Sequence, residues 1–177
     1  MNPFILTGAP GAGKTVVLRQ LEAMGHAVVE EAATDVIALA QAKGIAEPHR
    51  DPGFIDAIAT LQERRRTAPT TSGVVFHDRS PICTLALAQY LAFPVSEALA
   101  QALADIEADR FYARRVFFLR NLGFIVNTDA RQISFEDTLR FEQVHEAVYR
   151  RLGYELVFID AAGVEARARR IIELAQA

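Results

Sequence analysis

Eight residues near the start of the chain have types and spacings suited to holding a phosphate chain. Gly8, Gly11 and Gly13 give the loop the conformational freedom to curl tightly and turn successive backbone N–H groups toward one anion. Lys14 adds a compact positive charge for the β- and γ-phosphates, and the hydroxyl of Thr15 is a Mg²⁺ ligand. The spacing therefore predicts a P-loop that binds ATP with Mg²⁺. We expect the nucleotide-binding residues to be Gly8, Ala9, Pro10, Gly11, Ala12, Gly13, Lys14, Thr15 and Val16.

A second candidate for metal chemistry is Asp78, which closes an apolar run that begins at Gly73 and has the form of a Walker B strand. A carboxylate at that position joins the Mg²⁺ shell, usually through water, and this cation prefers carboxylate oxygens. The alternative is an aspartate that only begins the next helix, for which Ser80 is the predicted N-cap. Arg79 either reaches a transferred or accepting phosphate or pairs with a surface acid.

An acid pair, Glu30 and Glu31, follows the second apolar segment. An alcohol loses its proton as it attacks the γ-phosphate, and a carboxylate across from the P-loop can accept that proton. Acids at a helix N-terminus also complement the helix dipole, which is the alternative role. Of the two, we expect Glu31 to be the base and keep Glu30 as the second candidate.

An arginine in a predicted lid is the last candidate. Residues 120 to 134, approximately, have little apolar periodicity, and Arg131 in this stretch can close on the triphosphate and neutralise charge on the γ-phosphoryl oxygens. Arg120 is second, and a solvated loop arginine is the alternative for both. The predicted catalytic residues are therefore Lys14, Glu30, Glu31, Asp78, Arg79 and Arg131.

Apolar strands that alternate with helices must position these side chains. Strands are predicted at 4–7, 27–29, 73–78, 115–119 and 154–159, and helices at 16–24, 32–43, 54–66, 94–112 and 164–175, with others starting at Ser80 and Ser134. This alternation predicts an α/β fold with a parallel sheet covered on both faces, whose ligands bind at the carboxyl edge of the strands. We expect the P-loop, Glu31, Asp78 and the lid to meet there.

Composition limits the classes of protein. The chain has 177 residues, of which 51% are hydrophobic and 23% charged, and this favours a single domain over residues 1–177. The net charge of −3 gives no basic footprint for nucleic acid or an anionic membrane. A single cysteine, Cys83, is expected to be a buried thiol. Without a basic leader or an apolar run long enough for a membrane span, we expect a soluble, cytoplasmic protein.

The motifs, taken in order, resemble a family of small bacterial P-loop proteins, which are predicted ATPases related to the nicotinamide riboside kinase domain and, more distantly, to nucleoside kinases. The resemblance is carried by Gly8-Ala-Pro-Gly-Ala-Gly-Lys-Thr15, Glu30-Glu31-Ala-Ala, Asp78-Arg79-Ser80 and Asn127-Thr-Asp-Ala-Arg131. It implies the P-loop NTPase fold with a five-stranded parallel sheet of order 2-3-1-4-5, a carboxylate after strand two that faces the acceptor, and Asp78 serving Mg²⁺. Relatives often carry an arginine where this chain has Thr34.

Together these features predict an ATP-dependent phosphotransferase that acts on a hydroxyl of a small metabolite, with a nucleoside-like compound as one candidate. The acceptor is expected to be selected by a variable segment at about residues 44–72 and by the lid. The alternative from another class is a nucleotide-dependent ATPase switch or binding module that has no small-molecule acceptor. The absence of an N-K-x-D motif disfavours a GTPase version of that switch.

Overall fold

Five parallel strands form one sheet within the described residues, and helices cover both faces. The computed structural model describes residues 2–8, 10–69, 73–122 and 134–177. The strands are β1 (Asn2–Thr7), β2 (Ala27–Val29), β3 (Val74–Asp78), β4 (Arg115–Leu119) and β5 (Glu155–Ile159). The helices are α1 (Lys14–Ala23), α2 (Ala32–Ala42), α3 (Gly53–Thr67), α4 (Pro81–Tyr90), α5 (Glu97–Ala108), α6 (Phe135–Arg151) and α7 (Val164–Gln176), with a 3₁₀ turn at Pro48–Arg50.

The order of the strands, β2-β3-β1-β4-β5, confirms the expected P-loop NTPase arrangement. β1 lies at the centre of the sheet and pairs with β3 in a register that sets Leu6 beside Asp78. The chain leaves β1 into the glycine-rich loop and leaves β3 at Asp78. Because parallel strands end at the same edge, the two predicted phosphate and metal elements are neighbours.

Successive residues of β1 are buried on opposite faces of the sheet. Leu6 packs in an apolar cluster that includes Leu18 of α1 and Ile171 of α7. Ile5, one position earlier, packs in a second cluster that includes Ile82 of α4. Because strand side chains alternate with a period of two, a strand that is apolar throughout needs cover on both sides, as this one has.

The predicted bounds of one helix were wrong, whereas the predicted N-cap of another was confirmed. The helix predicted at 94–112 spans only Glu97–Ala108, because the hydroxyl of Ser96 accepts a hydrogen bond from the Leu99 N–H at 3.2 Å and so begins the helix later. Ser80 occupies the N-cap position of α4 as predicted, yet its side chain makes no capping hydrogen bond. Its hydroxyl lies 3.0 Å from the hydroxyl of the buried Tyr149, which takes the place of the capping contact.

The described ranges contain no helix that combines the length and the apolar character needed to cross a membrane.

Gly8 should tolerate replacement less well than Gly73. Its φ is +129°, and a Cβ there would lie 2.4 Å from the carbonyl oxygen of Leu119. Gly73 has nearly the same φ, +130°, but a Cβ there would have no neighbour within 4 Å among the described residues. We expect Gly73→Ala to lower the free energy of unfolding by about 1–3 kcal/mol through backbone strain, and Gly8→Ala to cost about 1–3 kcal/mol more because Leu119 must move.

Urea unfolding of the two variants measures this difference directly. Because the two glycines share the same φ, Gly73→Ala is a matched control for strain alone. Equal losses of stability in both variants would show that the approach of Leu119 to Gly8 imposes no constraint.

Candidate active site

The P-loop joins the end of β1 to the start of α1. Gly11 and Gly13 have φ values of +82° and +76°, so both adopt the left-handed conformation that the tight loop requires. α1 begins at Lys14, and its first-turn N–H groups therefore point back toward the loop, where a helix N-terminus favours an anion. Lys14 is buried with 6% exposure, whereas Val16 is exposed on α1. Ala9, a predicted member of the loop, lies outside the described residues.

Thr15 and Asp78 meet across the edge of the sheet. The hydroxyl of Thr15 donates a hydrogen bond to Oδ2 of Asp78 at 3.3 Å. The other oxygen, Oδ1, is buried and has no hydrogen-bond partner among the described residues. Burial raises the pKa of Asp78 and the charge of Glu31 raises it further, while Lys14, Arg79 and the Thr15 hydrogen bond lower it. A buried oxygen of this kind fits a hard cation.

The donor set is consistent with Mg²⁺. Hydroxyl and carboxylate oxygens are its usual protein ligands, and it commonly takes only one or two of them beside phosphate oxygens and water. No group of three or more histidine, cysteine, aspartate or glutamate side chains that could hold a metal occurs in the described part of the chain. Thr15 and Asp78 are thus the residues that would hold Mg²⁺, and nucleotide phosphates and water would complete its shell.

Glu31 is held by two side chains from different elements. It is the N-cap residue of α2 and is 9% exposed. The Arg79 Nε–H donates to its Oε1, and the hydroxyl of Thr34 donates to its Oε2 at 2.6 Å. Thr34 therefore contacts the candidate base directly.

Glu30 points elsewhere. Its carboxylate is 46% exposed and lies 2.5 Å from a guanidinium nitrogen of Arg19 on α1. Its backbone carbonyl accepts a hydrogen bond from Arg65 of α3 at 2.8 Å. The two acids of the predicted pair thus occupy different environments, and Glu31 is the buried one.

Arg79 lies at the centre of the candidate site. It has a φ of +73° and donates its backbone N–H to the carbonyl of Leu6 at 3.0 Å. Beyond its contact with Glu31, its Nη1 lies 3.1 Å from Nε2 of His145. Burial lowers the pKa of Arg79, but the charges of Glu31, Asp78 and other neighbouring groups, together with the hydrogen bond to Glu31, more than offset this effect, so the guanidinium stays charged.

Arg167 of α7 is a contact that the sequence did not predict. It is 3% exposed, its Nη1 donates to the carbonyl of Ala12 in the P-loop at 2.8 Å, and its Nη2 donates to the carbonyl of Arg120 at 3.4 Å. The signal in the sequence was its place on the apolar stripe of α7, in line with Ile171 and Leu174 at helical spacing. An arginine on such a stripe needs a buried partner.

The two arginines predicted near the lid have different outcomes. Arg120 donates to Glu142 and Glu146 of α6 at 3.2 and 2.8 Å, and its guanidinium lies 3.8 Å from the ring centroid of Phe158. Arg131 and most of the predicted lid lie outside the described residues.

A cavity of about 630 Å³ opens beside Glu31 and Arg79. Pro10 of the P-loop forms one part of its wall, and α2, the 3₁₀ turn, α3, α4 and α6 form the rest. Phe54 is 6% exposed and lines this cavity. Much of the lining comes from the predicted acceptor segment, including Glu47, Pro48, Phe54, Ile58 and Gln62.

His145 gives this site a measurable pH signature. It is fully buried, and burial, followed by the charge of Arg79, lowers its pKa to about 3. The unfolded chain binds this proton near the ordinary pKa of about 6.5. Between these two values the unfolded state holds more protons than the folded state, so stability falls as the pH falls.

In the wild-type protein the free energy of unfolding should fall as the pH is lowered from about 6 to about 4. We expect His145→Gln to reduce this fall by about 1.4 kcal/mol per pH unit. Urea unfolding of both proteins at about pH 4, 5 and 6 measures that slope. The carboxylates titrate in both proteins, so the difference isolates the imidazole. Parallel slopes would contradict the lowered pKa.

Comparisons with known proteins agree with this fold. The NadR protein, solved in complex with NR, has a TM-score of 0.69 and 18% identity over 99% of this chain, and this chain spans about half, 52%, of that one. Two structures of deoxyadenosine kinase from M. mycoides, one with dCMP and dCDP and one with dATP, have TM-scores of 0.59 and 0.61 and identities of 13% and 14%. They cover 98% and 99% of this chain, and 98% and 100% of their own chains.

No curated protein matched the chain. The structural neighbours confirm the resemblance to NadR-type and nucleoside kinase folds that the motifs indicated. A family model described as an AAA domain (AAA_28) matches residues 3–167, which is most of the chain and includes the P-loop, Asp78 and the candidate base. The chain therefore belongs to this AAA domain family of P-loop proteins.

Proposed function

We propose that the protein transfers the γ-phosphoryl group of ATP to a hydroxyl of a small metabolite bound in the 630 Å³ cavity. One observation carries the proposal: Glu31 and Arg79, a buried acid and its cation, stand in the wall of a cavity that also borders the P-loop. An ATPase switch has no need of an acceptor cavity beside its phosphate loop.

In this proposal the P-loop amides and Lys14 hold the triphosphate. Thr15 and Asp78 would hold Mg²⁺, which when bound supplies positive charge to the β- and γ-phosphates. Glu31 accepts the proton of the acceptor hydroxyl as that oxygen forms its bond to the γ-phosphorus. The bond from this phosphorus to the bridging oxygen breaks, ADP leaves, and Arg79 donates hydrogen bonds to the transferred group.

The cavity lining supports an acceptor that carries no phosphate of its own. Within the described residues, the cavity is lined by three acidic side chains, Glu31, Glu47 and Asp137, and by one arginine, Arg79. Arg79 is already paired with Glu31, so a second phosphate entering here would face carboxylates without a cation to match it among the described lining residues. The rings of Phe54 and Phe141 offer apolar surface for a flat group, and Gln62 offers a polar contact.

Residues assigned to the lid keep the role expected from the sequence. Arg131 would close over the transferred phosphoryl group and neutralise the charge that spreads over its oxygens. The segment at about 44–72 would select the acceptor, since its described part supplies much of the cavity wall.

A phosphorylation screen tests the proposal. The protein is incubated with ATP, Mg²⁺ and a pool of nucleosides, sugars and their monophosphates, and products are read by mass spectrometry. We expect one or a few unphosphorylated hydroxyl compounds to gain a phosphoryl group and to raise ATP turnover. A slow basal ATP hydrolysis that no compound in the pool changes would instead support the switch.

A further inference from the structure

Arg79 is held at two edges of its guanidinium group. On one edge the Nε–H donates to Oε1 of Glu31, and on the other Nη1 lies 3.1 Å from Nε2 of His145. Arginine has five N–H donors, and within the described residues Nη2 makes no hydrogen bond. Two anchors from different elements therefore define the plane of the group that borders the cavity.

The hydrogen-bond roles of His145 follow from its two neighbours. Nδ1 lies 2.9 Å from the carbonyl oxygen of Phe141, which can only accept, so Nδ1 carries the hydrogen. Nε2 of the neutral ring is then an acceptor, as the guanidinium of Arg79, which can only donate, requires. One tautomer satisfies both contacts, and the ring is fully buried.

His145 contacts a second residue of the cavity wall besides Arg79. Its ring centroid is 4.3 Å from that of Phe141, and the ring of Phe141 lines the cavity. Both residues belong to α6, whereas Arg79 follows β3 and Glu31 precedes α2. The imidazole therefore fixes the arginine relative to the helix against which an acceptor would pack.

We propose that His145 is a positioning residue for Arg79. The lone pair on Nε2 of His145 holds the guanidinium of Arg79 in the plane that directs the remaining N–H donors of the arginine at the transferred phosphoryl group. This inference rests on the proposed function. The left-handed backbone of Arg79 and its hydrogen bond to Leu6 fix only the base of the side chain. Without His145 the guanidinium can rotate about its contact with Glu31. This rotation would slow the reaction, because the transition state needs N–H donors held in a fixed orientation.

Three variants test the assignment by steady-state kinetics. His145→Leu removes the acceptor, His145→Gln offers an amide oxygen near the place of Nε2, and Val148→Ala, a buried residue on the same helix, is a matched control for lost packing. We expect His145→Leu to lower kcat about tenfold or more, with KM for ATP little changed. His145→Gln should keep most of the wild-type kcat, and Val148→Ala should leave kcat unaltered. A kcat in His145→Leu no lower than in Val148→Ala would overturn the proposal.

A spectroscopic readout separates this inference from the proposed function. ¹⁵N NMR of the wild-type protein should show a protonated Nδ1 and an unprotonated Nε2 for His145, and slow rotation of the Arg79 guanidinium. His145→Leu should release that rotation, while Val148→Ala should not. If the wild-type protein phosphorylates nothing, the proposed function fails, but loss of hindered rotation in His145→Leu alone still supports the positioning role. Free rotation of Arg79 in the wild-type protein would overturn it.

Discussion

Glu31→Gln should bind ATP with normal affinity and lose most phosphoryl transfer. Glutamine keeps the shape of the side chain and its oxygen can still accept from Arg79 or Thr34, so the wall of the cavity should stay in place. The amide cannot accept the proton of an attacking hydroxyl. Because a positioned general base contributes about 10²–10⁴-fold to such steps, we expect kcat to fall by about that factor.

Glu30→Gln is the matched control for this prediction. It makes the same chemical change one residue away, at a carboxylate that is exposed and paired with Arg19. Transfer should stay within about twofold of the wild-type rate, since exposed ion pairs contribute little. If Glu31→Gln retains transfer and Glu30→Gln loses it, Glu30 is the general base. If both variants retain transfer, neither glutamate is the base.

Lys14→Ala should weaken ATP binding about tenfold or more. The ammonium group is the compact positive charge that the loop offers to the β- and γ-phosphates, and its side chain is buried in the loop with 6% exposure. Isothermal titration of ATP in the presence of Mg²⁺ measures the change. A melting curve of the same sample shows whether the variant is still folded.

The chain contains only one other lysine, which provides the control. Lys43 lies at the C-terminal end of α2 and is exposed. Lys43→Ala removes the same charge from the protein and should leave ATP affinity within about twofold, since screening weakens exposed charges at a distance. An affinity that is unchanged in Lys14→Ala would disprove the assignment of the P-loop.

The parts of the fold that the sequence predicted are those specified by neighbouring residues. Strands β2 and β4 have the predicted bounds because short apolar runs are flanked there by polar or turn-forming residues. The spacing from Gly8 to Thr15 identifies the loop for the same reason, since all of its chemistry is local. The order of the strands came from the resemblance to a family, because periodicity shows which segments are strands and not which strands pair.

The contacts that the sequence missed join residues distant along the chain. Arg167 meets Ala12 across 155 positions, and His145 meets Arg79 across 66. A buried histidine on an apolar stripe is visible in the sequence, but its partner depends on how α6 packs against the strand edge. The lid arginine, Arg131, stays a prediction, since it lies outside the described residues.

The P-loop reaches its final set of hydrogen bonds only after Arg167 has been synthesised, because the guanidinium of Arg167 binds one of its carbonyl groups. Ala12 is synthesised 155 residues before Arg167, the residue of α7 whose cation binds its carbonyl. When β1 and α1 have left the ribosome, the nascent chain already has the P-loop glycines and Lys14. It still lacks the hydrogen bond from Arg167 to Ala12. We expect a ribosome-bound chain to acquire tight ATP binding only when α7 emerges and docks, so that nucleotide capture follows the synthesis of α7 rather than that of the P-loop.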